Sequence, residues 1–371
     1  MKNLIFIYVT ALCALLLPAC VRTASQPAAD MSGDTITHHA QLLTMVKKNG
    51  VVVAEITDPW NRPAILQRLV LIPEGYEGDP GIEGTRITCP VKKSMVSSVM
   101  FAQAIDELGA TGSIAAVSDA EYFKNPNVRK AIDSEIITSV GSSMEPNAEL
   151  IIATGPDVIL ANPYQNAGHG VMQTLGIPIV EMADYMEPTP LGRAEWIKLL
   201  GALYGNSRCA DSIFDATALN YSRWMKRVPS SRPTVLTEMP FNGVWFVPGG
   251  NSYMARIIAD AGGDYLWKEN TDAGSLQLDF PTVFDKAHDA RFWFIKTDKS
   301  PFTYADLKEL YPLNERFEAY KNKNAYYLDT SRSTFFEEMS IHPDRLLRDF
   351  VIIMHPDSAD GQSPAYYHPV E

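Results

Sequence analysis

Cysteine is scarce, with four residues in 371: Cys13, Cys20, Cys89 and Cys209. None forms a Cys-x-x-Cys pair, which excludes a thiolate zinc centre of the finger or ribbon kind. A structural disulfide could join only Cys89 and Cys209. They lie far apart in sequence, and that spacing leaves their pairing open. Basic residues are also short, 32 against 44 acidic, for a net charge of −12. Such a balance repels nucleic acid, and an anionic ligand would need a local group of Lys and Arg. Beyond residue 20 no apolar stretch approaches the ~20 residues that span a bilayer. The seven histidines show no ligand spacing apart from the adjacent His38 and His39. The chain has no Gly-x-Ser-x-Gly elbow, P-loop or His-Glu-x-x-His, and Gly249-Gly250 lacks the rest of a dinucleotide fingerprint. Glu337 and Glu338 are adjacent and would face different directions. No catalytic constellation emerges.

What is present begins with the amino terminus. Lys2 precedes an apolar run over 4–17, interrupted only by Tyr8 and Thr10, that ends Leu17-Pro18-Ala19-Cys20. This run is too short to span a membrane and has the form of a secretory signal, 1–19. A small residue before Cys resembles the lipobox of bacterial lipoproteins. That resemblance implies lipidation of Cys20, a lipid anchor as the sole membrane contact, and a place in the periplasm or cell envelope. The polar, small-residue segment 21–37 then reads as a spacer between lipid and fold.

The remaining chain is long enough for two domains. Around Asn49-Gly50 two β-prone runs predict a hairpin with a type I′ turn, because both turn residues tolerate positive φ. A Gly- and Pro-rich loop, 72–84, follows. From residue 86 short apolar runs at 114–117, 158–161 and 177–182 alternate with helical patterns at 97–108 and 168–175. This alternation predicts a parallel sheet covered on both faces. Residues 190–205 and 206–226 read as two consecutive helices. The αβ alternation resumes with strands at 235–239, 292–295 and 326–328 and helices at 253–261 and 344–354. The expected fold is therefore α/β: two Rossmann-like lobes with parallel central sheets, linked by one long α-helix, plus an N-terminal β-hairpin extension. The expected boundaries are 20–85 for the tether and hairpin, 86–186 for the first lobe and 187–228 for connecting helices. The second lobe spans 229–357 and a tail 358–371. A cleft between two such lobes is the default binding site.

Five segments in order, "PNAELIIATGPDVILAN", "LGIPIVEM", "PLGRAEWIKLLGALYG", "GGNSYMARIIADAGGDYLW" and "PDRLLRDFVIIMHPD", resemble one family. It is the substrate-binding proteins of iron-siderophore, haem and vitamin B12 ABC importers, and the likeness runs from about 86 to 357. The resemblance implies a monomeric, non-enzymatic protein with no cofactor of its own. It would capture a metal chelate between its lobes and deliver it to an ABC permease. It also implies one acidic docking residue on each lobe. Glu149 occupies the first position, where any carboxylate also suits a helix N-terminus. The second position holds Pro281, leaving Asp279 as the substitute. A chelate scavenger that does not dock on an ABC permease, or a chelatase-like enzyme on the same scaffold, are the alternatives.

Ligand contacts are expected on loops at the carboxyl ends of strands. Lys92, with Lys93, lies in "CPVKKSM" before the first lobe helix and would suit an anionic ligand, or be a solvated loop lysine. Tyr164 follows a strand, with His169 nearby. Phe241, Trp245 and Tyr253 come from "MPFNGVWFVPGGNSYM", where Trp245 either stacks on a ligand or belongs to a hairpin core. Arg332, in the loop with Phe335, Phe336 and His342, could grip a carboxylate or catecholate bidentately, or be a surface arginine.

Overall fold

The structure is a computed structural model that describes residues 31–371. The signal segment, Cys20 and most of the spacer therefore lie outside the described residues. Among those described, no helix is long and apolar enough to cross a membrane.

The amino-terminal part is larger than a hairpin. Leu43–Lys48 and Val51–Thr57 do form one, with Asn49 at φ 51° and Gly50 at φ 79°, the left-handed pair that a primed turn requires. Asp34–Thr35, Ile65–Pro73 and Thr85–Cys89 extend it to a five-stranded sheet, antiparallel except for its last pair. Thr85–Cys89 crosses the expected lobe boundary at 86. One face of this sheet merges with the first lobe: Leu42, Met45 and Leu69 belong to the same buried cluster as Phe101, Ile105 and Leu200. The seam is also electrostatic. Backbone amides of His38, His39 and Ala40 donate to the carboxylate of Glu195, and those of Gln41 and Leu42 to Glu187.

Each lobe then builds its own sheet. In the first the order is Ile179–Glu181, Val158–Ala161, Ser94–Val96, Ile114–Val117, Thr138–Ser139, all parallel. Its central strand, Ser94–Val96, is only three residues long and was hidden in the sequence by the helical pattern that follows it. The second lobe has the order Asp264–Tyr265, Thr234–Thr237, Phe292–Thr297, Ala325–Asp329, Tyr367–Pro369. The last strand is antiparallel, so the expected tail closes the sheet edge instead of trailing away. Burial explains this. Tyr367 packs its ring on Phe294 and Phe350, and Asp349 accepts the amides of Ala365 and Tyr366.

Between the lobes, 190–205 forms two short helices, Pro190–Ala194 and Ile197–Leu203, instead of one. Ser207–Met225 follows as a continuous 19-residue helix, roughly 29 Å long. Gly201 lets these helices approach, since a Cβ there would stand 2.5 Å from the Cβ of Ala210. Two principal hydrophobic clusters result, one per lobe, and the second is rich in aromatics.

Candidate functional site

The parallel strands of both lobes end facing each other. The loops after Ser94–Val96, Ile114–Val117 and Ala325–Asp329 jointly line a cavity of about 480 Å³ between the lobes. Ser97, Ser98, Ser118 and Tyr122 come from the first lobe, and Thr330 and Phe336 from the second. A recess of about 280 Å³ shares Ser97 and continues past Met144 and Tyr164. A third hollow, about 520 Å³, lies under Phe241 at the ends of Thr234–Thr237 and Phe292–Thr297. All three open where open αβ sheets bind ligands, outside the carboxyl ends of strands.

The walls are tied together. Glu337, on the short helix Phe335–Glu338, accepts the amides of Lys124 and Asn125 through Oε1 at 2.7 and 2.9 Å. The Lys124 ammonium donates to the carbonyl of Thr330 across the same gap. His342 Nε2 meets the Glu107 carboxylate at 2.8 Å. Burial pushes the Glu337 carboxyl above the ordinary glutamate range, against the pull of the Asn125 and Lys124 amides. Its Oε2 and the hydroxyl of Ser118 are closed off from water and have no hydrogen-bond partner.

The residues singled out in the sequence divide. Tyr164 (56% exposed) and Phe241 (70% exposed) stand on the cavity walls. Trp245 does not. It is fully buried, its indole N–H donates to the carbonyl of Thr237, and its ring stacks on Trp293 at 5.8 Å. The strand Val244–Pro248 alternates, so Trp245 and Val247 point inward while Phe246 points out. Tyr253 is likewise structural. Its hydroxyl donates to the carbonyl of Met339, and the Arg193 guanidinium lies over its ring at 5.1 Å. Lys92 stands at the amino end of Ser94–Val96, opposite the cavities; its ammonium pairs with Glu74 at 2.9 Å. The unrecognised central strand is the reason, because it puts the loop before a strand and not after one.

Arg332 is exposed, with Nε 3.9 Å from the Asp329 carboxylate. It lines a larger cavity of about 1000 Å³ beside the edge strand, which shares Ser333 with the cleft. His169 is paired with Glu181 at 2.8 Å. Cys89 and Cys209 are separate thiols, and burial raises the Cys89 thiol to about 12. Among the described residues no group of three His, Cys, Asp or Glu side chains could hold a metal.

Tyr122 (65% exposed), Met144 and Phe336 are further cleft residues, the first two unmarked by any sequence motif. The rule of loops after parallel strands would have found Tyr122, which follows Ile114–Val117 within a few residues.

On the outer surface Glu149 is exposed in the first turn of Ala148–Thr154. Asp279 is the N-cap of Phe280–Ala287 and accepts the Thr282 amide at 2.9 Å. Hydrogen bonds from the Thr282 hydroxyl and amide hold its carboxyl below the usual range. Pro281 sits in the first turn of that helix.

Comparison with known proteins places these features in a group. A family profile described as periplasmic binding protein matches residues 101–331. An uncharacterized lipoprotein of Methanocaldococcus jannaschii is 29% identical over 294 residues, covering 76% of this chain and 69% of that one. The crystal structure of a periplasmic haem-binding protein from Pseudomonas aeruginosa superposes with a TM-score of 0.58 at 16% identity. It covers 76% of this chain and 98% of that chain. A periplasmic vitamin B12-binding protein of Vibrio cholerae gives 0.56 at 12% identity, covering 74% and 99%. At such identities the likeness to solved structures speaks for the fold.

Proposed function

Because the chain belongs to the periplasmic binding protein family, we propose that it is the substrate-binding lipoprotein of an ABC importer. It captures a metal chelate (a ferric siderophore, haem or cobalamin) between its lobes and passes it to a permease. One observation carries this reading. Five exposed apolar side chains, Tyr122, Met144, Tyr164, Phe241 and Phe336, sit in the segments that follow the carboxyl ends of five different parallel strands. Single exposed apolar residues are ordinary, but five at the strand ends, spread over three cavities, make a surface for a large, partly flat ligand. The cavities of about 480 and 520 Å³ fall within the ordinary range for small-molecule sites.

Calorimetric titration of the apo-protein with a ferric trihydroxamate, haemin and cyanocobalamin tests the reading. Saturable binding of one of them, weakened when Tyr164 and Phe336 are both replaced by Ala, is expected. No heat with any of the three rejects it. Calorimetry is preferable to tryptophan emission, because Trp245 lies in the core and not in the cleft.

Lipidation at Cys20 belongs to the same proposal, supported by the hydrophobic run ending Ala-Cys and by relatives named lipoproteins. Mass spectrometry of membrane-extracted protein should find diacylglycerol on a chain beginning at Cys20. A second reading, a scavenger that does not dock on an ABC permease, draws on Pro281 and on the use of the Asp279 carboxylate as a helix cap. Co-purification with the cognate permease separates the two.

A further inference from the structure

The charge lining the cleft runs against an anionic ligand. The three cavities at the strand ends contain two lysines, Lys124 and Lys299, and five acids: Asp119, Glu337, Asp298, Asp306 and Glu309. Both lysines are already engaged, Lys124 by the Thr330 carbonyl and Lys299 by Asp306 at 2.5 Å. Arg332, Arg345 and Arg348 border the neighbouring cavity, where Asp329, Glu338 and Glu371 match them in number. A desolvated anion placed in this cleft would meet acceptors and uncompensated like charge.

The second observation concerns two of the seven buried side-chain polar atoms without a partner among the described residues, the two that line the cavity between the lobes. Ser118, fully buried, and Glu337, 2% exposed, come from opposite lobes and line the same cavity. Buried polar groups are paired as a rule, yet Ser118 Oγ and Glu337 Oε2 have no partner. The two oxygens of Glu337 thus divide their work. Oε1 joins the lobes through the Lys124 and Asn125 amides, and Oε2 has nothing to accept.

We infer that the ligand of this cleft is a neutral or cationic chelate bearing a hydrogen-bond donor, and that Glu337 selects it over anionic chelates. The inference rests on the binding-protein reading above. A ligand N–H, O–H or ammonium satisfies Oε2 when the short helix carrying Glu337 shifts slightly, and the same carboxyl reports that contact to the first lobe through Oε1. A carboxylate or catecholate group offers no proton to it.

The test uses the full-length apo-protein and four probes: cyanocobalamin and a ferric trihydroxamate with an ammonium tail, against haemin and a ferric tris-catecholate. At least one of the first two should bind more tightly than both anionic probes, by about tenfold or more. Glu337→Gln preserves shape and should shrink that ratio. Ser118→Ala should weaken both kinds of probe alike and leave the ratio unchanged, and unchanged melting temperatures show that both variants fold. Tighter binding of haemin or the tris-catecholate overturns the inference while leaving the binding-protein reading standing. Equal weakening of every probe by Glu337→Gln reduces that residue to a lobe contact and overturns its selective role. Failure of all four probes to bind removes the chelate-binding reading itself.

Discussion

Replacing Trp245 by Ala separates a core residue from a ligand contact. The side chain is fully buried and touches the rings of Trp293 at 5.8 Å, Phe317 at 5.9 Å and Phe280 at 6.1 Å. A side chain of this kind buries about 150–250 Å², which at about 25 cal/mol per Å² amounts to about 4–6 kcal/mol. Truncations of large aromatics in cores lose about 3–5 kcal/mol. The indole hydrogen bond to Thr237 is lost as well, leaving a buried carbonyl without that donor. A loss of about 4 kcal/mol at about 2–4 °C per kcal/mol lowers the second lobe's melting temperature by roughly 8–16 °C. Phe241→Ala is the control. That ring is 70% exposed, so its loss should move stability by about 0.5 kcal/mol or less while weakening chelate binding about tenfold. Circular-dichroism melts and calorimetric titrations of both variants provide the comparison. A Trp245→Ala protein that melts within a few degrees of the parent but no longer binds chelate would refute the assignment of this residue to the core.

Acid should loosen the amino-terminal sheet. Burial raises the Glu195 carboxyl, but the Ala40, His39 and His38 amides outweigh it and hold it below its ordinary 4.5. A depressed carboxylate stabilises the fold above the unfolded value, and this contribution fades as pH falls through the folded one. Protection of the amides at 38–40, taken relative to their intrinsic exchange rates, should therefore fall below about pH 4.5 in the parent, and already be low at neutral pH in Glu195→Gln. For docking, Glu149→Ala should cut cellular chelate uptake while leaving affinity intact. Asp279→Ala should have a smaller effect on uptake and lower the melting temperature slightly through loss of its helix cap. Normal uptake by Glu149→Ala would leave that residue a helix-start charge only. The crossover Ser207–Met225 and the interlobe bonds of Glu337 and His342 restrict lobe opening. Small-angle scattering should give nearly the same radius of gyration with and without ligand, and a change of several ångströms would contradict this.

Features with a local cause were legible in the sequence. The turn at Asn49-Gly50, the strands Ile114–Val117 and Val158–Ala161, and the long helix Ser207–Met225 depend on backbone preference and hydrophobic period acting over a few neighbours. The lobe–helix–lobe order follows from stringing them together. What required the tertiary structure was every question of side or partner. A three-residue strand, Ser94–Val96, is too short for a periodic signal, yet its insertion at the centre of a sheet puts Lys92 on the wrong end of the lobe. Trp245 and Phe241 come from the same hairpin. The register that sets Trp245 against Leu278 turns the first into the core and leaves the second in solvent. The tail becomes an edge strand only because Tyr327 and His368 come into register. In the sequence Glu337 is only one of two adjacent acids that face different directions. It acquires its part only when residues 124 and 125, more than two hundred positions earlier, bring their amides to its carboxyl. Periodicity carries information along the chain, whereas the direction a side chain faces and the partner it meets are set by contacts between segments remote in sequence.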